Sequence, residues 1–403
     1  MKKLKLEHFE ARIARLKEVM HQEGLDACLI YGDEYRRESL RYVSNFWPLF
    51  ERGALIVPMT GEPILLAAPE GEVMCKEMSV WPDIRFVPDF SCITVPDEIE
   101  YPQANYTSFQ KVFEELRSKG TFGKIGIVGM DAMPHTVYIA IRDSVPGSEV
   151  VDANAILFEQ RLLKTSEEIA CLKEAARIAD CAYRALLQRA KPGVTELQLA
   201  AAAHEAAFQE GAEYIPFCLV SSGERVATII GRATQKVVED GDMVMAALAV
   251  QYEGYIASIN FPFVVGAASE QQKKFIDLLI EANERGKAAI KPGIRMADMV
   301  KEVKHYFREQ GVSQYDLYPP LHGCGVAEAE SPYPNENSTG VFLTGMTVNT
   351  DISLFGHPDG SNRIEECFVV TSDGHEPMSQ LVGELSCQWL AKREITIGSP
   401  TTS

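Results

Sequence analysis

Several side chains in the last third of this 403-residue sequence have the types and spacing for acid–base chemistry. His322 stands in Pro319-Pro320-Leu321-His322-Gly323-Cys324-Gly325, between a short extended lead and a pair of glycines. Bare backbone lets an imidazole approach a ligand, and imidazole titrates near neutrality, so His322 suits a general acid or base. Its other possible role is a histidine hydrogen-bonded within the core. Asp351 and Glu365 lie in apolar stretches that read as strands, and a buried carboxylate needs either a partner or a cationic ligand. Arg363 can supply an ion pair. Otherwise two inward acids suit an ammonium, amidine or guanidinium group. Glu366, next to Glu365, must point to the opposite face of its strand, one inside and one outside. Cys324, two residues after His322, raises a Cys–His nucleophile, against the role of a small packed thiol.

These groups need a scaffold, and Gly241–Gly266 is its clearest piece. It reads as a hairpin: an apolar strand over 243–250, a turn near Glu253-Gly254, and a return strand over 255–265. Upstream, Ser166–Ala190 reads as one helix capped by Thr165 with Glu168 in its first turn, and Thr195–Gly211 as a second. Helices near 270–290 and 297–310 follow. Both helix pairs are broken by Lys-Pro-Gly, at 191–193 and 291–293. Helix, KPG, helix, strands thus occurs twice, which predicts two ααβ units facing each other across a cleft. Before them, an amphipathic helix with Phe9, Ile13, Leu16 and Met20 on one face opens an alternation of strands and helices. That alternation predicts an α/β domain with a mixed sheet.

Composition narrows the class. The length fits two domains, or three small ones, and 46% apolar with 24% charged residues is that of a globular protein. A net charge of −18 argues against nucleic acid as a partner, because no basic stripe displaces counterions from phosphates. No apolar run approaches the roughly 20 residues of a membrane helix, and the N-terminus lacks a secretory h-region, so a cytoplasmic protein is expected. Nine cysteines fall singly with no CxxC pair, which leaves no zinc ribbon or thioredoxin motif and predicts mostly reduced core thiols.

Leu163-Lys-Thr-Ser-Glu-Glu-Ile169, the hairpin, His322-Gly-Cys-Gly325, Gly345-Met346 and Arg363-Ile-Glu365 occur in an order and spacing that resemble the pita-bread family of creatinases, prolidases and methionine aminopeptidases. The resemblance implies an α/β (α+β) chain. A creatinase-like N-terminal domain over 1–155 would precede a pita-bread domain over 160–393, whose duplicated ααβ units surround a curved antiparallel sheet, and then a tail over 394–403. Metallopeptidase members hold two metal ions on Asp, Asp, His, Glu and Glu. Those positions fall on Ala247, Ser258, His322, Asp351 and Glu365, and two further family histidines fall on Ile230 and Ala329. An alanine coordinates nothing, so paired metals are not expected; one divalent ion on His322, Asp351 and Glu365 is the alternative.

The resemblance then implies a metal-independent hydrolase cleaving a C–N bond in a small cationic or zwitterionic compound, in the manner of creatinase or ectoine hydrolase. His322 would move the proton, and Asp351 and Glu365 would hold the cationic end. Glu365 would be the inward one of its pair. Arg363, Tyr255, Ser258 and Asn260 would line the pocket. Glu330 matches an acidic family position, although it and Glu328 also read as a solvated strand edge. The family has an apolar residue at Cys324, in line with a packed thiol. The aromatic segment Trp47–Arg52 resembles one that reaches into the partner subunit's cleft in creatinase-type homodimers. Phe50 and Arg52 would then contact substrate, Arg52 as a bidentate fork for a carboxylate, with a surface arginine as the other reading. Three rival activities remain: an Xaa-Pro peptidase with a single-metal site, an inactive binding protein on the same fold, and a lyase acting on an onium compound.

Overall fold

The computed structural model describes residues 4–92, 105–120 and 122–396. The expected tail therefore lies largely outside the described residues. The chain divides into two compact units between Arg161 and Leu162.

The first unit runs α1 (Leu6–Gln22), β1 (Ala27–Asp33), α2 (Glu38–Ser44), β2 (Arg52–Pro58), β3 (Ile64–Ala67), α3 (Glu72–Met78), β4 (Ile84–Phe86), α4 (Phe109–Ser118), β5 (Lys124–Val128), α5 (His135–Asp143), β6 (Glu149–Asp152) and α6 (Asn154–Gln160). Its six strands form a mixed sheet in the order β4-β3-β2-β1-β5-β6, antiparallel across β1–β2–β3 and parallel elsewhere. Leu29, Tyr31, Phe90, Phe109 and Phe113 pack into its core. The face of α1 read from the sequence, Phe9 to Met20, is the buried one.

The second unit holds the repeat: α7 (Ser166–Arg189), α8 (Glu196–Gln209), β7 (Tyr214–Ser222), β8 (Met243–Tyr252), β9 (Tyr255–Ile259) and β10 (Phe263–Val264), then α9 (Glu270–Ala288), α10 (Met296–Glu309), β11 (Leu321–Gly323), β12 (Thr347–His357), β13 (Gly360–Val370) and β14 (His375–Pro377), closed by α11 (Leu381–Lys392). Thr165 and Glu168 form the expected capping box, Thr195–Gln198 and Ser269–Gln272 make two more, and each satisfies backbone donors that open a helix. Gly193 and Gly293, at φ of 92° and 83°, turn the chain between paired helices where a side chain is strained.

The strands form two four-stranded antiparallel sheets, one with the path β10-β8-β7 and β9 paired to β8, the other β11-β12-β13-β14. The return strand is not continuous as expected. It breaks at Asn260-Phe261-Pro262, where the proline has no N–H to donate and Asn260 leaves β8 to pair with Glu365 of β13. That bridge joins the two sheets. Among the described residues no helix is long and apolar enough to cross a membrane.

Candidate functional site

The period of two along β12 and β13 puts Asn349 and Asp351 on the same face as Arg363, Glu365 and Cys367, with Asp351 directly opposite Glu365. Arg363 Nη1 donates to Asp351 Oδ2 at 3.1 Å and to Glu365 Oε1 at 3.0 Å. The guanidinium carbon also lies 5.1 Å from the ring centroids of Tyr318 and Phe355. All three charged groups are buried, yet among the described residues Asp351 Oδ1, Glu365 Oε2, Arg363 Nε and Arg363 Nη2 have no hydrogen-bond partner. Burial pushes the Asp351 carboxyl up to about 7; Arg363 opposes the rise and Glu365 adds to it.

β11 sets His322 beside Asn349. The His322 Nδ1–H faces the Gly323 carbonyl at 2.9 Å, which leaves Nε2 to accept from Asn349 Nδ2 at 3.2 Å. The same amide donates to Ser258 Oγ at 2.9 Å, and Ser258 Oγ donates to Glu328 Oε1 at 3.1 Å. Glu328 Oε1 is 3.7 Å from His322 Nε2. Burial lowers the basicity of His322, but Glu328, the Gly323 carbonyl and Asp351 outweigh it and leave the ring more basic than usual. Burial likewise raises the Glu328 carboxyl.

One cavity of about 850 Å³ within the second unit reaches His322, Glu328, Asp351, Arg363 and Glu365. Much of the rest of its lining is apolar, including Leu197 of α8 and Phe217 and Leu219 of β7. A pocket of this make, apolar with a few convergent polar groups, binds a small ligand in a fixed orientation. The imidazole and carboxylate can exchange a proton, and the free acid oxygens can receive a cation.

Two family descriptions match the chain: Creatinase/Prolidase N-terminal domain over residues 12–163, and Metallopeptidase family M24 over residues 170–372. The chain belongs to metallopeptidase family M24. An uncharacterized peptidase of Bacillus subtilis is 31% identical over 63% of this chain and 72% of its own length. An Xaa-Pro dipeptidase of Pyrococcus horikoshii is 26% identical over 93% of this chain and 98% of its own. The solved Xaa-Pro dipeptidase from Bacillus anthracis superposes with a TM-score of 0.77 at 26% identity, covering 92% of this chain and 98% of that one.

Against the M24 frame, the donor set does not fit paired metals. Ala247, wholly buried in β8 opposite Leu219, offers no donor atom. The Ser258 hydroxyl is a neutral group already placed between Asn349 and Glu328. Hard divalent ions need several anionic oxygens, and two of the four carboxylate positions supply none. Among the described residues no three His, Cys, Asp or Glu side chains converge as a metal-holding group, so one ion on His322, Asp351 and Glu365 would need them rearranged. Arg363 bridges the acids and Asn349 occupies His322 Nε2.

Other expected site residues of this M24 chain fall elsewhere. Tyr255 does not line the cavity; its hydroxyl donates to Glu168 Oε1 at 2.7 Å, tying β9 to the start of α7. Asn260 is likewise structural, its Oδ1 accepting from Ala246 N at 3.0 Å and its Nδ2 donating to Asn362 Oδ1 and to the Arg363 carbonyl. Ser258 sits behind Glu328 rather than in the wall. Glu330 is no solvated edge: its Oε1 pairs with Lys164 at 2.7 Å, both side chains under 5% exposed. Glu366 is buried too, beneath α9, where it meets Asn283 and Lys287, because the sheet is covered on both faces. Cys324 is a buried free thiol. In the first unit, Arg52 donates to the Ser91 carbonyl at 3.2 Å, while Phe50 is exposed at a φ of 61°.

Glu328 is the site residue that spacing conceals. In Val-Ala-Glu-Ala-Glu it reads as an alternating edge. The chain instead folds back through the Gly323–Glu330 bridge and delivers Glu328 beside His322.

Proposed function

We propose that this chain hydrolyses a C–N bond in a small cationic or zwitterionic substrate held in the cavity of its second unit, without paired metals. The observation that carries this is the pair of buried, unpartnered oxygens, Asp351 Oδ1 and Glu365 Oε2, beside His322 in one cavity, where positions 247 and 258 bring no carboxylate. The acids take the substrate's cationic end. His322 accepts a proton from water as that water's oxygen bonds to the carbon, and returns the proton to the departing nitrogen. The Gly323 carbonyl holds the ring through Nδ1, and the step requires Asn349 to release Nε2 to the water. The reading includes a homodimer in which the segment around Phe50 approaches the partner's cavity, supported by the exposure of Leu49 and Phe50.

The names of the relatives favour a second reading, an Xaa-Pro dipeptidase. In it, one divalent ion on His322, Asp351 and Glu365, with Arg363 drawn aside, would polarise the scissile carbonyl. Metal analysis of the purified chain, with hydrolysis of Xaa-Pro dipeptides and small amides followed with and without a chelator, separates the two. The first reading expects turnover that survives chelation in protein with substoichiometric metal. Stoichiometric metal and chelator-sensitive cleavage of Xaa-Pro dipeptides would sink it and establish the second.

A further inference from the structure

Arg363 stands in the second unit where the M24 frame calls for a metal cation. It lies two residues before Glu365 on β13, so the two side chains leave the same face of the sheet, and Asp351 is directly opposite Glu365 on β12. Its Nη1 sits between Asp351 Oδ2 and Glu365 Oε1, at 3.1 Å and 3.0 Å. One nitrogen thus bridges the only two carboxylate positions that remain of the metal frame, as a metal ion would bridge them. All three side chains are at most 8% exposed, so the pairing is made out of water.

The guanidinium is held in place from two directions. Tyr318 and Phe355, a T-shaped pair 6.2 Å apart, give it an aromatic seat, each ring centroid 5.1 Å from the guanidinium carbon. Beneath it the backbone is pinned by neutral amides. Arg363 N donates to Asn362 Oδ1 at 2.9 Å, the Arg363 carbonyl accepts from Asn260 Nδ2, and Asn362 Nδ2 donates to the Val244 carbonyl at 2.9 Å. Swinging the side chain aside would take a charge off its aromatic seat and leave two buried carboxylates with no cation between them. The remaining family ligand is engaged as well, since His322 Nε2 accepts from Asn349 Nδ2 at 3.2 Å. A divalent ion therefore meets a fixed positive charge on the very oxygens it needs, and like charges so placed in a buried site repel strongly.

We infer that Arg363 is this chain's built-in replacement for the M24 metal: its guanidinium takes the ion's place between Asp351 and Glu365 and closes the site to divalent cations. Such ions are admitted only by removing that guanidinium or by adding carboxylates around it. The inference shares with the proposed function the absence of paired metals, but it concerns metal binding alone and is tested without any turnover.

The test measures manganese binding to the full wild-type chain after chelator treatment and dialysis, by calorimetry and elemental analysis, with melting temperatures taken in chelator and in millimolar manganese. Wild type should hold well under one manganese per chain and melt at the same temperature in both. Arg363→Ala frees both carboxylates and opens room beside them. It should melt lower than wild type in chelator, bind one manganese per chain at least about 100-fold more tightly than wild type, and melt higher with the ion. Arg363→Gln, which keeps much of the volume without the charge, should gain the ion too, whereas Arg363→Lys keeps the charge and should stay closed. Adding Asp351→Asn to Arg363→Ala should abolish the gain, which assigns the ion to these carboxylates. Stoichiometric manganese on wild type overturns the inference. So does a folded Arg363→Ala or Arg363→Gln chain that ignores manganese, or an Arg363→Lys chain that binds it as tightly as Arg363→Ala.

Discussion

The two long hairpins of the second unit occupy matching places in a duplicated frame and have opposite contents. In β8–β9 the turn residues Glu253 and Gly254 both have positive φ, at 48° and 84°, and both strands are buried throughout. The positions that could face the site carry Ala247, Ala249 and Ser258, with no charge among them. In β12–β13 the cross-strand pair is Asp351 and Glu365, bound by Arg363. Asn260 fastens one hairpin to the other through neutral hydrogen bonds, and would do so whatever stood at 247 or 258. Backbone pairing and apolar packing hold the frame, so one hairpin can lose its carboxylates without cost to the fold. The other cannot shed its cation alone, because Arg363 is what two buried carboxylates share out of water.

The most direct way to break this contrast is Arg363→Met. It leaves two carboxylates buried without their cation, and breaking a buried pair from one side costs roughly 3–5 kcal/mol, read as a lower urea midpoint at pH 7.5. A change below about 1 kcal/mol would show that water or a ligand already neutralises the acids. The converse experiment returns carboxylates to the depleted hairpin. Ala247→Asp with Ser258→Asp should cost about 3 kcal/mol in chelator, since both sites are buried, and added manganese should recover much of that loss. If manganese leaves the melting temperature of the double variant unmoved, the two hairpins do not share a metal frame.

The frame was the legible part. Hydrophobic periodicity, Lys-Pro-Gly breaks and the Thr165 and Glu168 cap are local signals, and each forms locally as read. The acids that read as exposed are buried, because burial is not local. Glu330 needed Lys164, 166 positions away, and Glu366 needed Lys287. The return strand reads through Asn260 because Phe261-Pro262-Phe263 looks like strand, and only the bridge to Glu365 explains the break.

A smaller effect bears on how the charged hairpin tolerates itself. Burial holds the Asp351 carboxyl at about 7 in the folded chain, against an ordinary value near 3.9 when unfolded. Between those values the folded state binds more protons than the unfolded one, so this group makes stability fall as pH rises from about 4 to about 7. Above 7 both states are ionised and its share is constant. The slope for one proton is at most about 1.4 kcal/mol per pH unit, and opposition from Arg363 keeps the carboxyl from rising further. Asp351→Asn removes the titration while keeping the shape. Relative to wild type, the variant should gain stability between pH 4 and pH 7 and run parallel to it above. Denaturant curves at half-unit steps would show this, and a constant difference across the range would mean that Arg363 already holds Asp351 ionised throughout, making the charged hairpin an ion triad at every pH.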